Sequence, residues 1–181
     1  NLGGAFEKDP LFFEKIKEIV LMGGITAPLV FEKKVMDELN FACDPEAAYR
    51  VLTYGKNVSV VTGNNCLKVL FTKEEYKDRL FGTEKKIAAY IRETTDYWFG
   101  YNQEGYGIDG FYNWDVTAAV YMTNPELFKE SKRRFEISEK DLEKGYLREY
   151  TEGDSILNLP EIENVTDFKN TIYDCWLNVE I

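Results

Sequence analysis

Two short apolar runs in the first third of the chain have the pattern of buried strands. The first extends from Ile19 to Met22 and is closed by Gly23-Gly24. The second extends from Val58 to about Thr62, before a Gly-Asn loop. Continuous apolar runs of this length, bounded by glycine, are typical of strands that are covered on both faces.

The segment between these strands, DPEAAYRVLTYG, carries the signals of one helix. Asp44 stands at the N-cap position, Pro45 at the first helical position and Gly55 at the stop. A strand–helix–strand unit predicts a crossover and therefore a parallel sheet. Ligands of parallel sheets bind at the carboxyl ends of the strands, which here means near residues 22–24 and 62–64.

Helical patterns dominate the rest of the chain. TKEEYKDRLF predicts a short helix, TEKKIAAYIRETTDYWFGYNQEG a long helix with one apolar face, DVTAAVYMTNPELF a buried helix broken at Asn124-Pro125, and DFKNTIYDCWLNV a closing helix. Residues 133–151 are strongly charged and predict an exposed β-hairpin around residues 143–145. The sequence thus predicts one α/β unit over residues 1–181, a largely parallel sheet flanked by helices.

Charge and composition restrict the classes of partner. The formal net charge of −10 disfavours nucleic acid and anionic membranes, which both attract a basic face. No apolar run is long enough to span a bilayer and no signal peptide is recognisable. The three cysteines form no C-x-x-C pair, so we expect free thiols and a cytoplasmic protein.

The chain contains no histidine, which narrows the chemistry further. Ser-His-Asp and Cys-His catalysis within the chain are excluded, and so is a His-ligated zinc. Acid–base work would fall to carboxylates, Tyr or Lys, and a bound metal would be a hard ion with oxygen ligands.

The stretch MDELNFACDPEAA places polar groups where the predicted sheet should have its binding edge. A carboxylate and an amide two residues apart in an extended loop, Glu38 and Asn40, point the same way and suit paired hydroxyls. Asp37 and Glu38 could equally be solvated loop charges. Asp44 is explained by its position as the N-cap.

The stretch FYNWDVTAAVY places an acid at the start of an apolar helix. Asp115 could cap that helix, with Thr117 and Ala118 donating backbone N–H groups, or it could be a ligand. Trp114 beside it could belong to the core. The residues alone leave both alternatives open.

Together, IKEIVLMGG, DELNFACDPEAA and WDVTAAVYMTNPELF resemble, in order and spacing, the C-terminal half of the inosine–uridine-type nucleoside hydrolases. The leading NL resembles the end of that family's G-P-L-T-N-L turn, and the resemblance extends over residues 1 to about 128. It implies the nucleoside hydrolase fold, with residues 1–181 as the C-terminal portion of a single domain. The resemblance also implies that the N-terminal part of the domain is missing from this chain, which opens without an initiator Met.

The resemblance assigns roles to five residues. The Glu and Asn of the family's E-x-N motif bind ribose hydroxyls, which here implies Glu38 and Asn40. The Met of M-G-G lines the sugar pocket, here Met22. The Asp of the late W-D or H-D-P motif ligates calcium, here Asp115. The preceding residue contacts the nucleobase and is Trp in the purine-specific branch, here Trp114.

The implied activity is calcium-dependent hydrolysis of the N-glycosidic bond of ribonucleosides, with a purine preference and a role in nucleoside salvage. Members are usually homodimers or homotetramers. The family's D-x-D-x-x-x-D-D cluster, with the general-base Asp and most calcium ligands, is not in this chain. No Asn precedes Glu38 in VFEKKVMDE, where the family often has a further sugar-binding Asn.

Calcium takes about 6–8 oxygen ligands, of which Asp115 can supply two at most. We therefore expect this chain alone to be inactive and to depend on the missing half. One alternative is a non-catalytic remnant that acts in ligand binding or assembly. The other is a plain helix-flanked sheet in which Asp115 is a cap and Trp114 is core.

Overall fold

The computed structural model describes residues 1–180, in which helices cover both faces of a central sheet. The helices are α1 (Leu2–Lys8), α2 (Pro45–Tyr54), α3 (Gly63–Cys66), α4 (Lys73–Phe81), α5 (Lys86–Thr95), α6 (Tyr97–Tyr106), α7 (Trp114–Thr123), α8 (Glu139–Leu142) and α9 (Val165–Leu177). The strands are β1 (Ile19–Met22), β2 (Leu29–Val30), β3 (Val35–Met36), β4 (Val58–Val61), β5 (Phe71–Thr72), β6 (Gly110–Phe111), β7 (Phe128–Lys129), β8 (Lys132–Glu136), β9 (Arg148–Glu149), β10 (Ser155–Asn158) and β11 (Glu161–Ile162). Short 3-10 turns span Phe12–Lys15 and Pro125–Leu127.

The central sheet has the strand order β1-β4-β10-β8-β9. β1 and β4 pair in parallel, with Ile19 opposite Val58 and Met22 opposite Val61. β10 lies parallel to β4 on its other side, with Asn158 opposite Ser59. The α/β class and the predicted parallel strand–helix–strand unit are therefore confirmed.

The other half of the sheet is antiparallel, so the sheet as a whole is mixed. β8 runs antiparallel to β10, and β9 runs antiparallel to β8. The predicted hairpin over residues 133–151 contains this β8–β9 pair, and most of its residues are exposed as predicted, but a few side chains reach the core. Phe135 and Leu142 are fully buried, and α8 lies between the two strands. The segment is so rich in charged residues that its few apolar side chains gave no clear sign of burial in the sequence.

Helix α2 crosses from β1 to β4 and begins as its sequence predicts. The Asp44 carboxylate accepts a hydrogen bond from the backbone N–H of Ala47 at 3.0 Å, and Pro45 stands at the first helical position. This bond satisfies one of the free N–H groups that every helix start exposes. The N-cap role of Asp44 is confirmed.

Two apolar cores lie on opposite faces of the sheet, because neighbouring residues of a strand point to opposite sides. Val60 of β4 belongs to the core under α1, α2 and α8, and Val61 belongs to the core under α4, α5, α7 and α9. Both valines have no exposed surface. Burial on both faces explains why β1 and β4 read as continuous apolar runs.

The predicted long helix over residues 83–105 is two helices, α5 and α6, which meet at Asp96. Just before the junction, the hydroxyl of Thr94 donates to the carbonyl of Tyr90, and the hydroxyl of Thr95 donates to that of Ile91. Hydroxyls that bond to the preceding turn compete with the backbone hydrogen bonds of the helix and bend it.

Among residues 1–180, no helix is long and apolar enough to cross a membrane.

We expect Asp44→Ala to lower the free energy of unfolding by about 1 kcal/mol, because the start of α2 loses its side-chain acceptor. Asp44→Asn should be close to neutral, since Asn caps as well as Asp. Urea denaturation of the three proteins measures both effects. Asp96→Ala is the matched control, because Asp96 at the start of α6 makes no side-chain cap bond. Equal losses for the Ala and Asn variants at position 44 would contradict the cap.

Candidate active site

A cavity of about 420 Å³ opens at the carboxyl ends of β1 and β4. Met22 of β1 lines this cavity, together with Glu38 and Asn40 from the loop before α2. Trp114 and Asp115 line it from the start of α7. The five side chains singled out from the sequence thus line one cavity, although residues 22 and 115 are far apart in the chain. The location agrees with the rule that parallel sheets bind ligands at this edge.

Asp115 occupies the first turn of α7, and its side chain is exposed. The N-cap position belongs to Asn113, whose side chain makes no cap bond. The alternative in which Asp115 caps the helix was therefore wrong. Within residues 1–180 its carboxylate has neither a hydrogen bond nor an ion pair. It is a free anion at the cavity wall, placed at the positive end of a helix dipole.

Glu38 differs from Asp115, because its carboxylate is already occupied by the backbone. It accepts hydrogen bonds from the N–H groups of Gly24 at 3.1 Å, Asn40 at 2.9 Å, Phe41 at 3.0 and 3.1 Å and Ala42 at 3.0 Å. The interpretation of Glu38 as a solvated loop charge does not fit these contacts. Its expected contact with ribose stays a prediction.

Asn40 is exposed at the cavity and is oriented by β1. Its Nδ2 donates to the carbonyl oxygen of Met22 at 3.1 Å and lies 3.1 Å from the Met22 sulfur. Its Oδ1 accepts nothing from the described residues 1–180. The side chain therefore presents a fixed acceptor to the cavity, since an amide oxygen has two lone pairs to offer.

Trp114 lines this cavity and also a second one of about 310 Å³, with Met36 and Asp115 shared between the two. The second cavity is apolar and aromatic, with Trp98, Phe111 and Tyr112 among its walls. The rings of Tyr112 and Trp114 lie 5.4 Å apart at 47°, and burial raises the pKa of the Tyr112 phenol. A flat aromatic surface with an apolar recess behind it suits a heteroaromatic ring.

The β2–β3 hairpin covers one side of the first cavity with Lys34, Val35 and Met36. It is tied to the end of α6 by Lys33, whose Nζ donates to the carbonyl of Gln103 at 2.6 Å. A cation is favourable at a helix C-terminus, where the carbonyls are free. This hairpin is not predicted by the hydrophobic pattern of the chain. The available signal was the charged turn FEKK between two pairs of apolar residues.

Cys66, at the end of α3, lies behind Trp114, with its sulfur 3.9 Å from the Trp114 carbonyl oxygen. Burial, with a smaller contribution from the negative charge of Asp115, raises the pKa of this thiol to about 12. Only the thiolate is an effective nucleophile. Cys66 therefore keeps its proton at neutral pH and packs in the core beside the site.

The fit to calcium is poor within this chain. No group of three or more Cys, Asp or Glu side chains that could hold a metal ion occurs among residues 1–180. Calcium takes about 6–8 oxygens, while the cavity offers Asp115, Asp37 and the Asn40 amide as its free side-chain oxygens. Residues 1–180 therefore do not make a calcium site by themselves.

Comparison with known proteins agrees with this geometry. The sequence model of the family described as inosine-uridine preferring nucleoside hydrolase matches residues 1–170. The chain is 33% identical over 128 residues to probable uridine nucleosidase 2 of Arabidopsis thaliana, covering 71% of this chain and 39% of that protein. It is 30% identical over 132 residues to probable uridine nucleosidase 1 of Oryza sativa subsp. japonica, covering 73% and 40%.

Solved structures support the same fold. A plant nucleoside hydrolase, the PpNRh1 enzyme, superposes with a TM-score of 0.84 at 22% identity and covers 98% of this chain and 59% of that chain. A purine-preferring ribonucleoside hydrolase from Gardnerella vaginalis superposes with a TM-score of 0.79 at 19% identity, covering 96% and 56%. The nucleoside hydrolase fold expected from the sequence is confirmed.

The chain belongs to the inosine-uridine preferring nucleoside hydrolase family. It spans about two fifths of the length of the plant relatives it matches and just under three fifths of the solved structures. The predicted family resemblance is confirmed.

We expect two of the three thiols to react rapidly with Ellman's reagent near pH 8. Cys43 and Cys175 are exposed, whereas Cys66 is buried and keeps its proton. Titration of the folded chain should give two fast equivalents, and the third should appear only in denaturant. Three fast equivalents in the folded chain would contradict the buried position of Cys66 behind Trp114.

Proposed function

We propose that the intact protein hydrolyses the N-glycosidic bond of ribonucleosides, giving free base and ribose. The observation that carries this proposal is that Met22, Glu38, Asn40, Trp114 and Asp115 line one cavity at the carboxyl ends of β1 and β4. These are the residues that the family motifs mark. Sugar-side polar groups lie at one wall of the cavity and an aromatic ring lies at another, as a nucleoside requires.

Different side chains of the cavity contact different parts of the substrate. Asn40 holds a ribose hydroxyl through its free Oδ1, and the Met22 side chain packs against the sugar. The bond breaks through a ribose with oxocarbenium character, whose positive charge is stabilised by carboxylates held nearby. Asp115, whose carboxylate is unpaired at the cavity wall, is one of the carboxylates that stabilise this positive charge. Fixing the sugar in one orientation lowers the entropic part of the barrier.

The calcium dependence expected from the family is proposed for the intact protein only. Asp115 is the carboxylate that this chain would contribute as a ligand, and the remaining oxygens would come from outside residues 1–181. The general-base Asp is likewise proposed to come from outside these residues. A homodimer or homotetramer, cytoplasmic location and a role in nucleoside salvage belong to the same proposal.

A purine preference follows from Trp114. Stacking of a base on an aromatic side chain contributes about 1–3 kcal/mol, and a two-ring base gains more contact than a one-ring base. An electron-rich indole also favours a base that is gaining a proton as it leaves. The apolar recess behind Trp114 supports this assignment. The rival specificity is uridine, because the plant relatives at 30–33% identity are named uridine nucleosidases.

The second candidate function is a non-catalytic remnant that binds a nucleoside or assembles with other subunits. Such a protein would bind the nucleoside through the same cavity residues, among them Asn40 and Trp114. Assay of the whole protein with inosine and calcium separates the two candidates. Nucleoside binding without release of base would support the remnant.

In the intact protein, we expect Asp115→Asn to abolish calcium binding and hydrolysis, because the ligand oxygen loses its charge. Stability without calcium should fall by less than about 1 kcal/mol, the helix-dipole contribution of a first-turn acid. Isothermal titration with calcium and release of base from inosine measure the two effects. Asp167→Asn is the matched control, since Asp167 is an exposed acid in the first turn of α9. An Asp115→Asn protein with full activity would end the metal-ligand assignment.

We expect the wild-type protein to cleave inosine, adenosine and guanosine faster than uridine and cytidine. Trp114→Ala should lower kcat for purines beyond any change in KM, because the stacking benefit grows as the base is protonated. Steady-state kinetics with inosine and uridine provide the measurement. Equal turnover of the two nucleosides by the wild type would refute this role for Trp114 and favour the specificity named for the plant relatives.

A further inference from the structure

A cavity of about 190 Å³ lies at the carboxyl ends of β4 and β10, where Thr62 and Leu159 follow the two parallel strands. We call it the β4–β10 cavity. Among residues 1–180, it shares no lining residue with the candidate active site, to which the neighbouring Gly63 belongs. Parallel sheets bind ligands at the carboxyl ends of their strands. The β4–β10 cavity is therefore a second place at this edge where a ligand can bind.

The charged groups around this cavity have a surplus of positive charge, although the chain as a whole carries −10. Lys68 and Arg133 line the cavity, and both bond to Glu161, at 3.0 and 2.8 Å. Lys129 lies opposite Glu161 in the β7–β11 pair. Glu149 contacts Arg133 at 3.4 Å but does not line the cavity. The Lys68 ammonium holds the pKa of Glu161 below its usual range, so three cations face two ionised carboxylates.

Both cations that line the cavity keep unused N–H groups. Arg133 donates from Nε to the hydroxyl of Ser131 at 2.9 Å. It also donates from Nη1 to Glu149 and from Nη2 to Glu161, so each terminal nitrogen has a second N–H that donates to nothing in residues 1–180. Lys68 donates only to Glu161 within these residues, and an ammonium has further N–H groups to offer.

A buried hydroxyl adds an uncharged donor. Thr62 is 5% exposed, and its Oγ1 accepts from the backbone N–H of Asn65 at 3.3 Å. The hydroxyl hydrogen of Thr62 has no acceptor among residues 1–180. Asn65 does not provide one, because its Oδ1 already accepts from the N–H of Ile162 at 3.1 Å. The Thr62 hydroxyl is therefore free to donate to a ligand.

The side-chain acceptors of this cavity, by contrast, are already used. Glu161 accepts on Oε1 from Arg133 and on Oε2 from Lys68. Asn64 Oδ1 accepts from the backbone N–H and the hydroxyl of Thr26, at 2.7 and 3.2 Å. A ligand that bonds here must therefore bring its own oxygen acceptors, and the surplus positive charge favours a ligand that is an anion.

We propose that the β4–β10 cavity is a second binding site, in which Lys68, Arg133 and Thr62 bind a small oxyanion of the phosphate type. The site is independent of the proposed hydrolysis of nucleosides. A guanidinium with free N–H groups on both terminal nitrogens and a neighbouring ammonium are the usual protein donors to phosphate oxygens.

The size of the cavity limits what the anion can carry. The β4–β10 cavity has less than half the volume of the candidate active site, about 190 against about 420 Å³. It holds an oxyanion but not a nucleoside. The anion is therefore either a free ion or the phosphate group of a sugar ester whose sugar stays outside the cavity.

The test is isothermal titration of the intact protein with inorganic phosphate in calcium-free buffer, repeated with an excess of inosine. We expect saturable binding with an affinity that inosine does not change, because the two cavities are separate. Titration with ribose 5-phosphate distinguishes the two sources of the anion. An affinity equal to or above that of inorganic phosphate assigns the ester, and a lower affinity assigns the free ion.

Two substitutions within one ion pair should change the phosphate affinity in opposite directions. Lys68→Gln should weaken phosphate binding about 10-fold, because a charge-assisted hydrogen bond is lost at a partly exposed site. Glu161→Gln should tighten it about 3-fold or more, because a negative charge beside the anion is removed. Lys56→Gln and Glu14→Gln are the matched controls, since these residues form an ion pair of similar exposure outside the cavity. Both controls should change the affinity by less than about twofold, because salt screens exposed charges away from the site.

Four results would overturn the inference. The wild type could show no saturable phosphate binding, or inosine could compete with phosphate, which would place the anion in the candidate active site. Equal weakening by Lys68→Gln and Lys56→Gln would show a general attraction of anions. Unchanged or weaker binding by Glu161→Gln would show that the ion pair only supports the fold. If Glu161→Gln does not fold, Arg133→Lys decides, because it keeps the charge but loses the paired N–H groups, and an unchanged affinity in that variant would reject the site.

Discussion

Parallel pairing of β1 with β4 is the interaction on which the candidate site depends. Their four residue pairs end together at Met22 and Val61, so the loops that follow both strands leave the sheet at one edge. The turn after β1 then needs glycine, because the Phe41 ring lies where a Cβ of Gly24 would be, at 2.7 Å, and φ is +72°. The cavity exists because the backbone can turn this tightly under an aromatic ring.

The acidic residues around this edge show why the sequence identifies possible site residues more easily than it identifies what each carboxylate binds. Asp44, Glu38 and Asp115 all stand at the start of a turn or helix, where carboxylates are common. Asp44 caps α2, Glu38 is saturated by backbone donors, and Asp115 is free. Asp44 was predictable because its partner lies three residues away. The state of Glu38 depends on Gly24 and Gly145, which only the folded chain brings close.

The elements of the fold show the same division, because those set by local sequence signals could be predicted and those set by distant contacts could not. β1, α2 and β4 follow from local signals, namely apolar runs, a cap, a proline and a glycine. β10 and β8 do not follow from such signals, since SILN is short and KRRFE is charged. They form strands by pairing with each other and, for β10, with β4. Their apolar contribution rests on single residues such as Phe135 and Leu157. Pairings of this kind are decided by tertiary context and not by intrinsic propensity.

The central position of β10 has a consequence for how the polypeptide is made. Asn158 of β10 donates to Ser59 of β4, its neighbour in the sheet, at a sequence separation of 99 residues. At ribosomal rates of about 5–20 residues per second, β4 waits about 5–20 seconds after its own synthesis for that neighbour. During this time the nascent chain carries β1 and β4 with an open apolar edge, which is the surface that chaperones protect and that aggregation exploits. Placing the last-made strand at the centre of the sheet therefore makes synthesis, and not only stability, a point of vulnerability for this fold.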